Sequence, residues 1–187
     1  TPDSGALLPA GPSVAPLESA ARPDAPAELA LVWPANVDAA ADWSWLRLGA
    51  MELVATRLRA GGLATMPSDN VMGLLRVGTE RGGNAVNTLV SEDMLQIQPR
   101  IDREGLMWQV RLHASSATQD LLAHGESEDV MSAARAAADA LLIKTGRPPP
   151  NTQALPGREL EALLGRINAA SLSGQNTLAV NLISQAS

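Results

Sequence analysis

A chain of 187 residues is long enough for one hydrophobic core, or a core with a small appendage. Its 45% hydrophobic content excludes wholesale disorder, and 14 basic against 20 acidic residues leave a net charge of −6, which argues against nucleic-acid binding by this segment. With no Cys and only two His, disulfides, thiol nucleophiles, Cys-ligated zinc and a three-histidine metal centre are excluded as well.

Residues 1–27 are dominated by Pro, Ala, Ser and Gly without apolar periodicity. Repeated proline removes backbone donors and favours extended polyproline segments, so this stretch reads as a spacer rather than as part of the fold. It lacks the basic start and apolar centre of a signal peptide. A start at Thr1 suggests a processed protein or a segment cut from a longer one. No run approaches the roughly 18 apolar residues of a membrane helix, so a soluble segment is expected, although its parent need not be soluble.

Residues 28–33 (ELALVW), closed by Pro34, read as a buried first strand. After a polar loop, a long helix is expected from Trp43 to Ala60, with Asp42 as its N-cap and Gly61-Gly62 as its stop. Leu46, Ala50, Leu53, Val54 and Leu58 share its core face. Residues 63–66 (LATM) are the expected second strand. Ser68 or Asp69 then caps a short helix ending near Arg76. Residues 79–90 suggest a glycine-containing loop with a helical turn.

Residues 94–101 alternate apolar and polar, with Pro99 marking an edge or a bulge. A turn at residues 102–105 leads to a second alternating run, 106–114, and together they predict a hairpin. Residues 120–125 are a third antiparallel strand. The best-marked helix starts at residues 127–129 and ends around Lys144, with Gly146 and Pro148 beyond it. Its core face (Val130, Ala134, Ala137, Ala138, Leu141) is mostly alanine, which lets a helix lie close to a sheet. Residues 147–155 form a second proline-rich linker, and residues 158–186 read as two amphipathic helices around Ser173-Gly174. That hairpin has too much leucine to hide alone, so it must dock on the α/β domain or continue into further helices.

The order of elements predicts an α/β class: a layered mixed sheet with packed helices, followed by a C-terminal helical hairpin. The expected divisions are a linker at 1–27, an α/β domain at 28–150, and a linker with the hairpin at 151–187.

Catalytic signatures are missing from the sequence. Neither Gly61-Gly62 nor Gly82-Gly83 has phosphate-loop spacing, and no GxSxG or SxxK motif activates a serine. Ser68 and Asp69 are explained by capping. His113 and His124 sit on adjacent expected strands, where structural or surface roles outweigh a metal or pH-sensing site. Arg147 and its three following prolines suit a linker better than a ligand for a proline-reading domain. Trp45 is more informative: its position on the helix points it away from the core stripe, beside Glu52 and Thr56. These three residues are the candidate interaction site, since tryptophan contributes disproportionately to binding hot spots. The competing expectation is that the linker or the C-terminal hairpin covers Trp45.

The segments WLRLGAM (45–51), RLRAG (57–61) and MPSDNV (66–71), with AARAAADALLIKTGRPPP (133–150), resemble the extracytoplasmic region of membrane-anchored winged-helix transcriptional regulators of the CadC/ToxR type. The resemblance covers residues 28–150. It implies a periplasmic α/β domain similar to the N-terminal domain of TolB, joined upstream to a membrane helix and a DNA-binding domain, and followed by tetratricopeptide-like helical repeats. It implies a sensory or interaction role, relaying a signal or partner across the membrane, without enzymatic activity or a cofactor. A homodimer is compatible with it. The winged helix and membrane segment are not in this chain, and the hairpin lacks an aromatic repeat consensus. A non-signalling envelope adaptor is the alternative expectation.

Overall fold

The structure is a computed structural model describing residues 29–38, 41–80, 90–151 and 158–185. Its strands are β1 (Ala30–Val32), β2 (Asn36–Asp38), β3 (Leu95–Glu104), β4 (Met107–Ser115) and β5 (Asp120–Ser127). Its helices are α1 (Leu46–Ala60), α2 (Ser68–Glu80), α3 (Val130–Lys144), α4 (Arg158–Leu172) and α5 (Asn176–Gln185). The sheet runs β1-β3-β4-β5, with β2 continuing beside β3 where β1 stops. β1 and β2 are parallel to β3, whereas β3, β4 and β5 form an antiparallel meander. The expected layered α/β fold with a mixed sheet and a C-terminal helix pair is the observed one. The proline-rich residues 1–27 lie outside the described residues.

The two periodicities place the core. In β3 and β4 the alternating residues Leu95, Ile97 and Ile101, with Trp108, Val110, Leu112 and Ala114, are all buried. They form one face of the sheet. The intervening side chains, among them Gln98, Arg100, Arg111 and His113, lie on the other, more open face. Leu46, Ala50, Val54 and Leu58 of α1 are fully buried as expected, and Leu53 is half-buried. The alanine stripe of α3 is buried throughout, and the helix packs closely on β4 and β5.

Pro99 lies in an inner strand rather than at an edge, and it stands opposite a bulge: between Val32–Ile97 and Asn36–Arg100 the neighbouring side runs through Trp33, Pro34 and Ala35 while β3 has only Gln98 and Pro99. Trp33 N donates to Ile97 O and Leu95 N to Leu29 O, so the odd-numbered backbone groups of β3 face β1. The donor that proline lacks therefore falls between the paired stretches of β1 and β2, where Pro34 interrupts the neighbouring strand. The β4 ladder is untouched. Gln98 covers the break, donating from Nε2 to Pro34 O at 3.0 Å.

Several local expectations are corrected. Residues 63–66 do not form a strand; only Thr65 bridges to Ala30, held by hydrogen bonds from Ala30 N to Ala64 O and from Met66 N to Ala30 O. Pro67 ends the pairing by opening α2. Asp42 lies in a 3₁₀ turn (Ala41–Trp43), and α1 begins after Trp45 without a side-chain cap. Ser68 is already helical, and its hydroxyl donates to Glu52 instead of capping α2. That helix reaches Glu80; the remainder of the expected loop, 81–89, lies outside the described residues with Gly82-Gly83. The hairpin turn is tighter than expected. Glu104 pairs with Met107, leaving Gly105 and Leu106 as a two-residue loop whose glycine has φ +61°.

Asp129 caps α3, accepting from Ser132 N at 2.9 Å. Gly146, with φ +74°, follows the helix where a left-handed residue ends it. Gly62, with φ +85°, does the same after α1.

Candidate functional site

α1 packs against the sheet, α3 and α4 together; Glu52 and Thr56 lie on it, and Trp45 immediately precedes it. Trp45 is half-buried at the crossing of α1 and α4. A side-chain carbon on Gly49 would meet its ring at 2.9 Å, and one on Gly165 would meet it at 2.6 Å. Glycine at both positions is what lets the indole fit between the helices. The C-terminal hairpin therefore docks on the α/β domain, and α4 is the cover of Trp45. Arg166 adds a guanidinium 5.6 Å from the ring centroid. The indole Nε1 is buried and has no hydrogen-bond partner among the described residues.

Glu52 and Thr56, one turn apart, form a polar cluster. Glu52 Oε1 accepts from Thr56 Oγ1 at 3.0 Å and from Arg59 Nη2 at 3.1 Å, while Oε2 accepts from Ser68 Oγ. The carboxylate thus ties α1 to the first turn of α2. Trp45 is not part of this cluster, and the two parts of the candidate site border different grooves beside α4. Glu52 and Thr56 border a groove of about 310 Å³ between α1, α3 and α4, whose apolar wall includes Leu53, Met131 and Leu164. Trp45 borders a second groove of about 370 Å³ with Leu48, Arg166, Leu178 and Leu182.

Sequence reasoning missed two features of this region. Arg57 makes a two-pronged pair with Asp139, at 2.7 and 3.0 Å, and also donates to Pro150 O at 3.1 Å. One guanidinium thereby joins α1, α3 and the segment leaving α3. The second is a tryptophan series: Trp108 meets Trp43 edge-on at 4.9 Å, and Trp43 lies 6.5 Å from Trp45. Aromatic contact runs from the sheet to the C-terminal hairpin. Neither the Arg57–Asp139 pair nor the Trp43–Trp108 contact had a signal in local spacing, because the partners are far apart in sequence.

The histidines lie on the open sheet face. His113 Nε2 is 2.7 Å from Asp120 Oδ1, whereas His124 is opposite Arg111 in the β4–β5 ladder. Among the described residues, no group of three or more His, Cys, Asp or Glu is placed to hold a metal ion. On the same face Arg100 and Arg111 are directly opposite each other, a repulsive arrangement relieved by Asp102, which both contact. Burial pushes the Asp102 carboxyl up, but hydrogen bonds from Arg111 and Arg100 and their positive charges outweigh it and hold the group below its ordinary value. A depressed folded-state pKa contributes stability that is fully present above the unfolded value of about 3.9 and is lost as pH falls through the folded value. Unfolding midpoints measured down through that acid range should therefore fall less steeply for Asp102→Asn than for the native chain. Equal slopes would remove Asp102 from the acid response.

Comparisons with protein-family models, curated proteins and solved structures give no match to this chain.

Proposed function

We propose that this chain is a periplasmic sensory or interaction domain of a membrane-anchored one-component transcriptional regulator. The observation that carries the reading is the docking of α4 on α1 through Trp45, beside grooves with apolar walls and charged rims. A ligand or protein partner entering there competes with, or reinforces, the contact between the hairpin and the α/β domain. The altered association is then relayed to a DNA-binding domain through a membrane helix. The acidic charge and the proline-rich lead support this reading, as does the resemblance to CadC/ToxR-type regulators. Within the described residues no helix is long and apolar enough to cross a membrane, so the relay requires a helix supplied elsewhere in the parent protein.

The test is the gene upstream of Thr1 together with the purified domain. A winged helix followed by a membrane span is the expected upstream sequence; a reading frame carrying neither overturns the proposal. The domain itself should give no anisotropy change with fluorescent duplex DNA at physiological salt, because its net charge opposes phosphate contact. A salt-dependent, submicromolar shift would place DNA binding in the wrong half of the protein.

A further inference from the structure

The two edges of the sheet are treated differently. On one side, β1 and β2 are interrupted by Pro34, and Ala30 is bridged by Thr65. On the other, β5 pairs with β4 in unbroken register over all eight of its residues and ends the sheet. It has no proline, lysine or bulge, the usual devices that keep an edge from pairing with another strand.

The direction of its free backbone groups follows from the ladder. Odd-numbered groups of β3 face β1, so its even-numbered groups face β4, opposite the odd-numbered groups of that strand. Even-numbered groups of β4 then face the odd-numbered groups of β5. The N–H and C=O groups of Asp120, Leu122, His124 and Glu126 consequently point outward, and no described residue pairs with them. Their side chains all lie on the open face and all are exposed, with Leu122 at 58%.

We propose that the β5 edge pairs antiparallel with the β5 edge of a second copy of this chain, with Leu122 on the two-fold axis. Opposed residues of antiparallel strands share a face, so the possible two-fold registers are those centred on a residue. Centring on Ala123 sets Asp120 against Glu126 of the other copy, two like charges. Centring on Leu122 sets the exposed leucines against each other and Asp120 against His124 twice. In that register the outward groups of residues 120, 122 and 124 meet their counterparts as hydrogen-bonded pairs. Asp120 can serve both partners, because His113 of its own copy occupies only Oδ1. This proposal does not depend on the sensory reading.

The chain has no cysteine, which makes it a clean background for cross-linking. Hydrogen-bonded antiparallel pairs hold their Cα atoms about 5.5 Å apart. That lies within the range of roughly 4.4–6.8 Å that a disulfide spans. Under mild oxidation, Leu122→Cys should form a covalent dimer about tenfold or more faster than Leu106→Cys, on the exposed β3–β4 turn. His124→Cys alone should be slow, whereas mixing Asp120→Cys with His124→Cys should give the mixed dimer. Leu122→Lys places two positive charges at the axis and should shift the mass seen by concentration-dependent light scattering toward monomer. At concentrations low enough to leave the native chain monomeric, its unfolding midpoint should match the native one, because Leu122 is exposed in the single chain. Equal cross-linking rates for Leu122→Cys and Leu106→Cys overturn the proposal, as does a native chain that stays monomeric at every concentration. An association that Leu122→Lys leaves intact overturns it too, and assigns the contact to another surface.

Discussion

Gly125→Val should unfold the domain or lower its stability by about 3 kcal/mol or more. A side-chain carbon at this position would lie 2.2 Å from Ala133 O and 2.4 Å from Ala137 N, and both are backbone atoms of α3. Neither can swing aside as a side chain would. The helix must lift from β5, and the alanine stripe from Ala133 to Ala138 then loses its close fit on the sheet. Urea unfolding measures the loss. Gly73→Ala is the internal comparison, since a carbon added there meets nothing within 4 Å and the residue lies inside α2. It should stabilise the chain by roughly 0.5–1 kcal/mol through the lower conformational freedom of the unfolded state. A native-like midpoint for Gly125→Val would mean that α3 does not lie against β5 at this distance.

Trp45→Ala should cost about 3 kcal/mol, at the low end for tryptophan truncation because the ring is half-buried. The loss has a defined location. Trp45 fills the space between Gly49 and Gly165, so its removal opens a gap between α1 and α4 there. Hydrogen exchange should show α4 and α5 losing protection before the sheet does. Gly165→Val approaches the same contact from the other side, since its side chain must displace the ring it would otherwise touch at 2.6 Å. It should release the hairpin and shift tryptophan emission to longer wavelength as Trp45 becomes wet. If both variants keep protected α4 amides, the hairpin is held by contacts other than Trp45. If Trp45→Ala keeps its midpoint but loses self-association, the ring belongs to an interface instead.

These two positions differ in how visible they were beforehand. The alanine face of α3 foretold a close helix–sheet approach, since alanine at helical spacing has no other means of burying area. The residue beneath it, Gly125, looked only like the end of a strand. For Trp45 the helical position showed that it leaves the core stripe. It did not show whether that side meets solvent, a partner or another part of the chain. Glu52 and Thr56 shared the helix face with it, yet their hydrogen bonds run to Arg59 within α1 and to Ser68 of α2 rather than to Trp45.

The sequence by itself determined the elements whose signals are local. Period-two alternation placed β3, β4 and the turn between them within a few residues. Asp129, the alanine stripe and Gly146 marked α3 from end to end, and the leucine spacing marked the C-terminal hairpin. These features rest on backbone geometry and on the polarity of neighbours within a few turns, so a short window contains their cause. Tertiary structure decided the rest. Residues 63–66 were apolar enough for a strand, but pairing needs a partner along its length, and Pro67 and the geometry of β1 leave only Thr65 to bridge. Pro99 was admitted to an inner strand because a distant interruption, at Pro34, removed the need for its donor. Arg57 found Asp139 across 82 residues, and Trp45 found Gly165 across a longer span still. Such contacts depend on which surfaces meet when the chain closes on itself, and no property of either residue's neighbourhood encodes that meeting.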